Sequence, residues 1–376
     1  MRGRKPNLKK RELGQVDVWL FAIVVTLLSI GVVMVYSASS YHSMFTDNDS
    51  AALFKKQALF AVIGIIAMVM LMRVDYHKYN NKKIMYGLYI VTIILLLAVF
   101  LFPSSKGAQR WIKLPGISFQ PSELGKYTVV LFLAYMLNRM GKKIKDFKQG
   151  VLPCLIFAGV IAAIILAQRN LSIASITMMV AFGMIFISGA RVKHMFGYIV
   201  PPLFGLASLA ILLAPYRMAR LLNFMDPWKD PAGNGYQLIQ SLYALGSGGI
   251  TGLGLGESRQ KTMYMPEPHN DFIFSIVGEE LGYIGCLVIM LLFVALVWRG
   301  IKIAMEARDS YGALIAIGIT AILGIQCLIN IAVVTGSMPV TGVPLPFISY
   351  GGSSLVINLA AVGILLNISR QKKRVG

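Results

Sequence analysis

The sequence predicts an all-α, polytopic membrane protein with ten transmembrane helices and one large extracytoplasmic loop between helices seven and eight. Three observations carry that expectation. The 376 residues are 56% hydrophobic and only 14% charged, whereas soluble domains carry about 25% charged residues. Apolar runs of about 17–25 residues, the length that crosses a bilayer, recur along the whole chain. The basic residues fall in the short loops between those runs, which is how membrane proteins set their orientation.

The elements follow in order. Residues 1–17 form a basic tail with Arg2, Arg4, Lys5, Lys9, Lys10 and Arg11. Span one runs from about Val18 to Tyr36, and Ser37 to Lys56 is a polar loop. No small-residue cleavage site ends span one and more spans follow, so it reads as a retained helix rather than a signal peptide. Span two, about Gln57 to Met72, is closed by Arg73, Lys78, Lys82 and Lys83. Span three is about Ile84 to Phe102, and the segment Pro103 to Pro121 carries Gly107, Arg110, Trp111 and Lys113. Span four, about Ser122 to Leu137, is closed by Arg139, Lys142, Lys143, Lys145 and Lys148. Span five, about Val151 to Ala167, meets span six, about Leu171 to Ser188, across Gln168-Arg169-Asn170. Arg191 and Lys193 lead to span seven, about Phe196 to Ala214.

Residues 215–270 then form the large loop, and span eight runs from about Asp271 to Trp298. Arg299, Lys302 and Arg308 precede span nine, about Tyr311 to Val334. A proline-rich turn, Pro339 to Pro346, leads to span ten, about Ile348 to Ile368. Residues 18–369 thus read as a single membrane domain, and 370–376 as a second basic tail. Ten spans put both termini on one side, and the positive-inside rule makes that side cytoplasmic. The large loop is then extracytoplasmic. The spans show no inverted or tandem repeat, so repeat-built transporter plans gain no support.

The net charge of +20 does not point to nucleic acid, because the cations sit in loops between spans. Cys154, Cys286 and Cys327 all lie in apolar runs, with neither metal spacing nor a disulfide frame.

The chain is organised around the stretch from about Pro215 to Gly282, which contains Asp271. Asp271 stands where the large loop plunges into span eight, and an acid there costs roughly 2.5–3.5 kcal/mol toward the bilayer centre. A structural reading makes it the N-cap of the helix. That cost also leaves room for a functional reason. His269, two residues earlier, can point to the same side of an extended loop, although a loop histidine is usually just solvated. Glu123 and Lys126 share one face at the start of span four, as an ion pair or as the lining of a substrate cavity. Glu279 lies roughly 12 Å along the helix from Asp271, too far to share a proton, so Glu279 and Glu280 read as polar glue between helices.

The outward segments carry Arg110, Lys113, Arg169, Arg217, Arg220, Lys229, Arg259 and Lys261. They can meet lipid headgroups or bind a pyrophosphate, for which arginine's planar fork is suited. Gly252-Leu253-Gly254-Leu255-Gly256 lacks the lysine of a phosphate loop and reads as a tight turn. The glycines and prolines from Gly336 to Pro346 break the chain where irregular backbone must be buried or line a wet cavity.

Val334-Thr335-Gly336, Pro339 to Phe347 and Ser349-Tyr350-Gly351-Gly352-Ser353-Ser354 resemble the C-terminal motif of the SEDS family, named for shape, elongation, division and sporulation. Phe119-Gln120-Pro121-Ser122-Glu123 with Lys126 is similar to a second family motif. Gly107-Ala108 with Arg110-Trp111, and His269 with Asp271-Phe272-Ile273-Phe274, resemble two more. Gly278 to Gly282 and Tyr36-Ser37-Ala38-Ser39 look more like the division and sporulation branch (FtsW, SpoVE) than the elongation branch (RodA).

The resemblance implies a peptidoglycan glycosyltransferase of the bacterial cytoplasmic membrane that polymerises lipid II onto an undecaprenyl-pyrophosphate-linked glycan. It implies a class B penicillin-binding protein as partner, within a set of divisome or sporulation membrane proteins. It makes Asp271 the catalytic residue and puts Glu123 and Lys126 near it in a central cavity. Arg110, Lys126, Arg259, Lys261 and His269 complete the expected substrate contacts. A divalent cation could share the neutralisation of pyrophosphate, though the sequence shows no ligand set for one. At one position the chain departs from the family: Gln168-Arg169-Asn170-Leu171 replaces the usual Gln-Pro-Asp-Leu, so Asn170 stands in place of an acid. Two rival readings are a lipid II flippase, which needs an inward-open path, and a non-catalytic scaffold for the transpeptidase.

Overall fold

The computed structural model describes residues 14–104, 108–114, 117–233, 235–262 and 264–371. Gly107, the basic residues Arg2 to Arg11, and Lys372, Lys373 and Arg374 lie outside the described residues, as does the side chain of Arg217.

Twelve α-helices are described: α1 Val18–Asp47, α2 Ala52–Arg73, α3 Lys82–Ala98, α4 Pro121–Met140, α5 Leu152–Ala167, α6 Leu171–Ile187, α7 Val200–Leu212, α8 Pro215–Met225, α9 Tyr236–Ser247, α10 Ile273–Glu306, α11 Ser310–Val334 and α12 Gly352–Ser369. The chain is an all-α, multi-pass membrane protein. Among the described residues, seven helical segments are long and apolar enough to cross a membrane by length and composition. Each of the ten expected spans coincides with a helix, but α4, α6 and α7 do not meet that measure. The helix α6 is 17 residues long and α7 is 13, although seven π-helical residues, Lys193–Ile199, run into α7.

The reason α4 falls short is its position. It packs against α3, α5, α6, α11 and α12, and nearly all its first five turns are buried. A helix sheathed by protein need not be apolar all round, so it can carry a charged pair. The outer helices do the opposite. Leu59, Val62, Ile63 and Ile66 of α2 and Val288, Leu291 and Val294 of α10 stay exposed, as a lipid-facing surface requires. The tightest pairing, α2 with α12, depends on Gly363: a Cβ there would meet the Met68 carbonyl at 2.4 Å. Small residues of this kind let helix backbones approach closely in a membrane.

The structure redraws three boundaries. The helix α1 runs to Asp47, so the first part of the expected Ser37–Lys56 loop is helical. Its serines mimic a loop in composition but face inward: Ser37, Ser39 and Ser43 are buried. The large segment 215–270 is partly folded, holding α8, a 3-10 turn at Pro227–Lys229, and α9. Span eight is not continuous. Gly282 interrupts α10 with φ 67° and ψ −167°. The freed carbonyls of Glu279 and Glu280 accept from Leu253 N and Gly254 N, both at 3.0 Å. The freed amides of Tyr283 and Ile284 donate to Gly249 O and Ile250 O at 2.9 and 3.2 Å. The glycine-rich turn therefore satisfies the break, as backbone at a membrane edge requires.

A short hairpin was not expected. β1 Ile112–Leu114 pairs antiparallel with β2 Ile117–Phe119, setting Lys113 opposite Ser118. The alternation Ile112-Lys113-Leu114 and Ile117-Ser118-Phe119 around Pro115-Gly116 was the available signal.

Candidate active site

One end of the bundle holds a cavity of about 370 Å³ lined by Asp271, Glu123, Arg110, Lys113, Asn170 and Tyr350, among others. Three helix N-caps line it: Gln120 of α4, Asn170 of α6 and Gly351 of α12. Helix N-termini carry partial positive charge and unpaired N–H groups, which suit an anion. Lys113 and Ser118, cross-strand neighbours in the hairpin, share one face and both line the cavity. Arg110 reaches the same space, its Nη2 donating to the Arg169 carbonyl.

Asp271 is half-buried in the turn before α10. The N-cap position belongs to Phe272, and Asp271 stands one residue ahead of it. Its backbone is fixed by Asn330, whose Nδ2 donates to Asp271 O at 2.7 Å and to Val343 O at 2.8 Å. One buried amide thus ties the Asp271 turn to the irregular segment after α11. That segment is buried on one side, through Val343, Leu345, Phe347 and Ile348, and lines the cavity on the other, through Gly342 and Pro344. Gln57 of α2 steadies its far end, donating to Ser349 O at 3.3 Å and accepting from Gly351 N at 3.4 Å.

Glu123 and Lys126 form an ion pair of 2.8 Å, each 1% exposed. Ser354 Oγ also donates to Glu123 Oε2, at 2.8 Å. Lys126 Nζ donates in addition to Gln326 Oε1 at 2.9 Å. Gln326 and Asn330 are four apart and share a face of α11. That one face grips the α4 ion pair and the Asp271 turn together. Glu123 lines the cavity and Lys126 lies behind it.

The remaining expected contacts fall elsewhere. Lys261 is buried and pairs with Glu280 at 2.9 Å. Arg259 is exposed and lines a neighbouring cavity with Lys261, away from Asp271. His269 is 5% exposed, not solvated. Its ring lies 5.6 Å from Tyr350 and 5.7 Å from His42, and its carbonyl accepts from Tyr350 N at 2.9 Å. Asn170 caps α6 by accepting from Ile173 N at 3.3 Å. Gln57, Gln326 and Asn330 were missed; each is an amide inside an apolar run, and such residues commonly join helices by hydrogen bonds.

Fold and site define a polytopic membrane protein with a charged polar cavity at one end of its bundle, where a carboxylate faces cations and helix N-termini. The model of the cell cycle protein family FtsW/RodA/SpoVE matches residues 18–374, and the chain belongs to that family. It is 45% identical over 360 residues to a protein of Geobacter sp. (strain M18) named "Probable peptidoglycan glycosyltransferase FtsW", covering 95% of this chain and 97% of that one. It is also 45% identical to "Stage V sporulation protein E" of Bacillus subtilis (strain 168), over 95% of this chain and 98% of that one. Among solved structures it resembles a chain from work titled "Structural coordination of polymerization and crosslinking by a peptidoglycan synthase complex", with a TM-score of 0.77 and 28% identity over 94% of this chain and 98% of that one. The rod shape determining protein RodA of Thermus thermophilus superposes with a TM-score of 0.71 at 26% identity, over 96% of this chain and 98% of that one.

Proposed function

We propose that the chain polymerises lipid II into glycan strands at the outer face of the bacterial cytoplasmic membrane, with Asp271 as general base. It is a peptidoglycan glycosyltransferase. The observation that carries the residue assignment is the shared cavity of Asp271, Glu123, Arg110 and Lys113 beneath three helix N-caps. The Asp271 carboxylate takes the proton from the 4-hydroxyl of the terminal GlcNAc of lipid II. That oxygen attacks the anomeric carbon of the growing chain's MurNAc, the glycosidic bond to phosphate breaks, and undecaprenyl pyrophosphate leaves. A single displacement inverts an α linkage to β. Arg110, Lys113 and the N-termini of α4, α6 and α12 face the charge that builds on the leaving group. Energy comes from the substrate's own pyrophosphate, since no nucleotide is at hand outside the membrane.

Ten spans with both termini in the cytoplasm would place this cavity outside, matching the basic loops after spans two, four, six and eight. A class B penicillin-binding protein is the proposed partner. The test is purified protein with that partner and lipid II in detergent, which abolishes flipping but permits chain growth. General-base help is worth about 10²–10⁴-fold, or about 3–5 kcal/mol, so Asp271→Asn loses polymerisation while keeping its fold and partner. Full polymerisation by that variant would remove Asp271 from the mechanism. Absence of polymer from the unsubstituted complex would return the flippase or scaffold readings.

A further inference from the structure

A second cavity lies beside the first, at the same end of the bundle. It measures about 740 Å³ against about 370 Å³ at Asp271. Ser40, Tyr41 and Met44 of α1 form one wall, and Glu257, Arg259 and Tyr264 of the loop before α10 form the other. The mechanism above makes no use of it.

Its loop wall is held rigidly by two carboxylates that the reaction also leaves unused. Glu279, 0% exposed, accepts from Arg259 N at 3.0 Å, from Gln260 N at 3.3 Å and from the Ser258 hydroxyl. Glu280, 1% exposed, accepts from Ser37 of α1 at 2.7 Å and from Lys261 at 2.9 Å. Buried carboxylates at a membrane edge are costly unless fully hydrogen-bonded. Here they clamp the loop against α1. A wall fixed in advance loses less freedom when a ligand arrives.

The lining selects the ligand's chemistry. Tyr41 and Tyr264 keep 37% and 57% of their surface exposed. A tyrosine ring offers a flat apolar face and a hydroxyl, which suits a sugar ring with its C–H face and hydroxyl rim. The exposed Arg259 guanidinium suits a carboxylate. A lipid tail would want an apolar groove instead. Between the two cavities stand Tyr350, His269 and His42, with neighbouring rings 5.6 and 5.7 Å apart. Tyr350 lines the first cavity, and Tyr41, next to His42, lines the second.

We infer that the second cavity binds the glycan strand, a β-linked amino-sugar oligomer bearing carboxylates, as it extends away from Asp271. This rests on the glycosyltransferase reading. The test uses full-length Asp271→Asn protein in micelles, so that binding is read without turnover. The probe is chitotetraose, followed by saturation-transfer NMR. Tyr41→Ala and Tyr264→Ala are expected to weaken binding about tenfold each, the scale of one lost aromatic contact, and Tyr264→Phe to retain it. No binding, or binding untouched by both alanine substitutions, overturns the inference. In the lipid II assay with partner, Tyr264→Ala combined with Arg259→Ala is expected to shorten the strands. An unchanged length distribution overturns it as well. If the unsubstituted complex makes no polymer, the glycosyltransferase reading itself fails, and the probe result identifies which of the two ideas has gone.

Discussion

Asn330 holds Asp271 by the main chain: its Nδ2 lies 2.7 Å from the Asp271 carbonyl oxygen and 2.8 Å from that of Val343. A side-chain amide at the heart of α11 therefore sets where the carboxylate of a separate turn can stand. Glu123 is set from the same face of α11, through Lys126 and Gln326.

Asn330→Ala leaves the carbonyls of Asp271 and buried Val343 without that donor. Each orphaned group costs about 1–3 kcal/mol, and the Asp271 turn loses its fixed position. The expected result is a lower thermal midpoint and a kcat reduced more than KM, since positioning matters most in the transition state. Steady-state kinetics on lipid II check this, and an unchanged kcat in a folded variant would refute a positioning role.

The Glu123–Lys126 pair is buried on both sides. Removing one partner strands a charge, and breaking such a pair costs about 3–5 kcal/mol. Glu123→Gln and Lys126→Met are each expected to destabilise strongly. The double variant should be less damaged than the sum of the two. Denaturant unfolding in mixed micelles gives the cycle, and strict additivity would show that the two side chains do not interact.

Gly282 breaks α10 with a positive φ of 67°, and a Cβ there would sit 2.3 Å from Gly252 N. Gly282→Ala is expected to cost at least about 1–3 kcal/mol, the scale of a strained backbone. It should also displace the turn that Glu279 and Glu280 hold. Faster limited proteolysis between Leu253 and Thr262 is the readout, and an unaltered cleavage rate would count against this account of the break.

The far end of the bundle has its own polar latch. His77 is 2.7 Å from both Asp75 and Asp309, and Gln371 donates to Asp75 at 3.1 Å. Burial works to raise the Asp75 pKa, but hydrogen bonds from the His77 amide, the Gln371 amide and the His77 ring outweigh it and hold it at about 2, below the usual 3.8. A carboxyl depressed on folding stabilises the protein above its unfolded pKa, and that contribution fades as pH falls from 3.8 toward about 2. Asp75→Asn should flatten the thermal midpoint between pH 5 and pH 2 relative to the parent protein. Equal slopes for the two proteins would exclude Asp75 as the titrating group.

The sequence by itself determined the membrane class, the approximate positions of the helices, and the residues Asp271, Glu123 and Arg110 that meet in one cavity. Those features are local: an apolar run of spanning length or a carboxylate at a helix boundary is visible without knowing what lies beside it. Tertiary structure decided what each polar group faces. Ser37 and Ser43 look like loop residues until α1 is seen to turn them inward. Lys261 and Arg259 look like pyrophosphate contacts until Glu279 and Glu280 are seen to hold their loop against α1, at a separate cavity. Asn330 looks like an isolated amide until α11 is packed against the Asp271 turn. In a membrane a buried polar group is costly unless it is paired, and its partner can be hundreds of residues away, so the pairing becomes fixed only when the helices assemble.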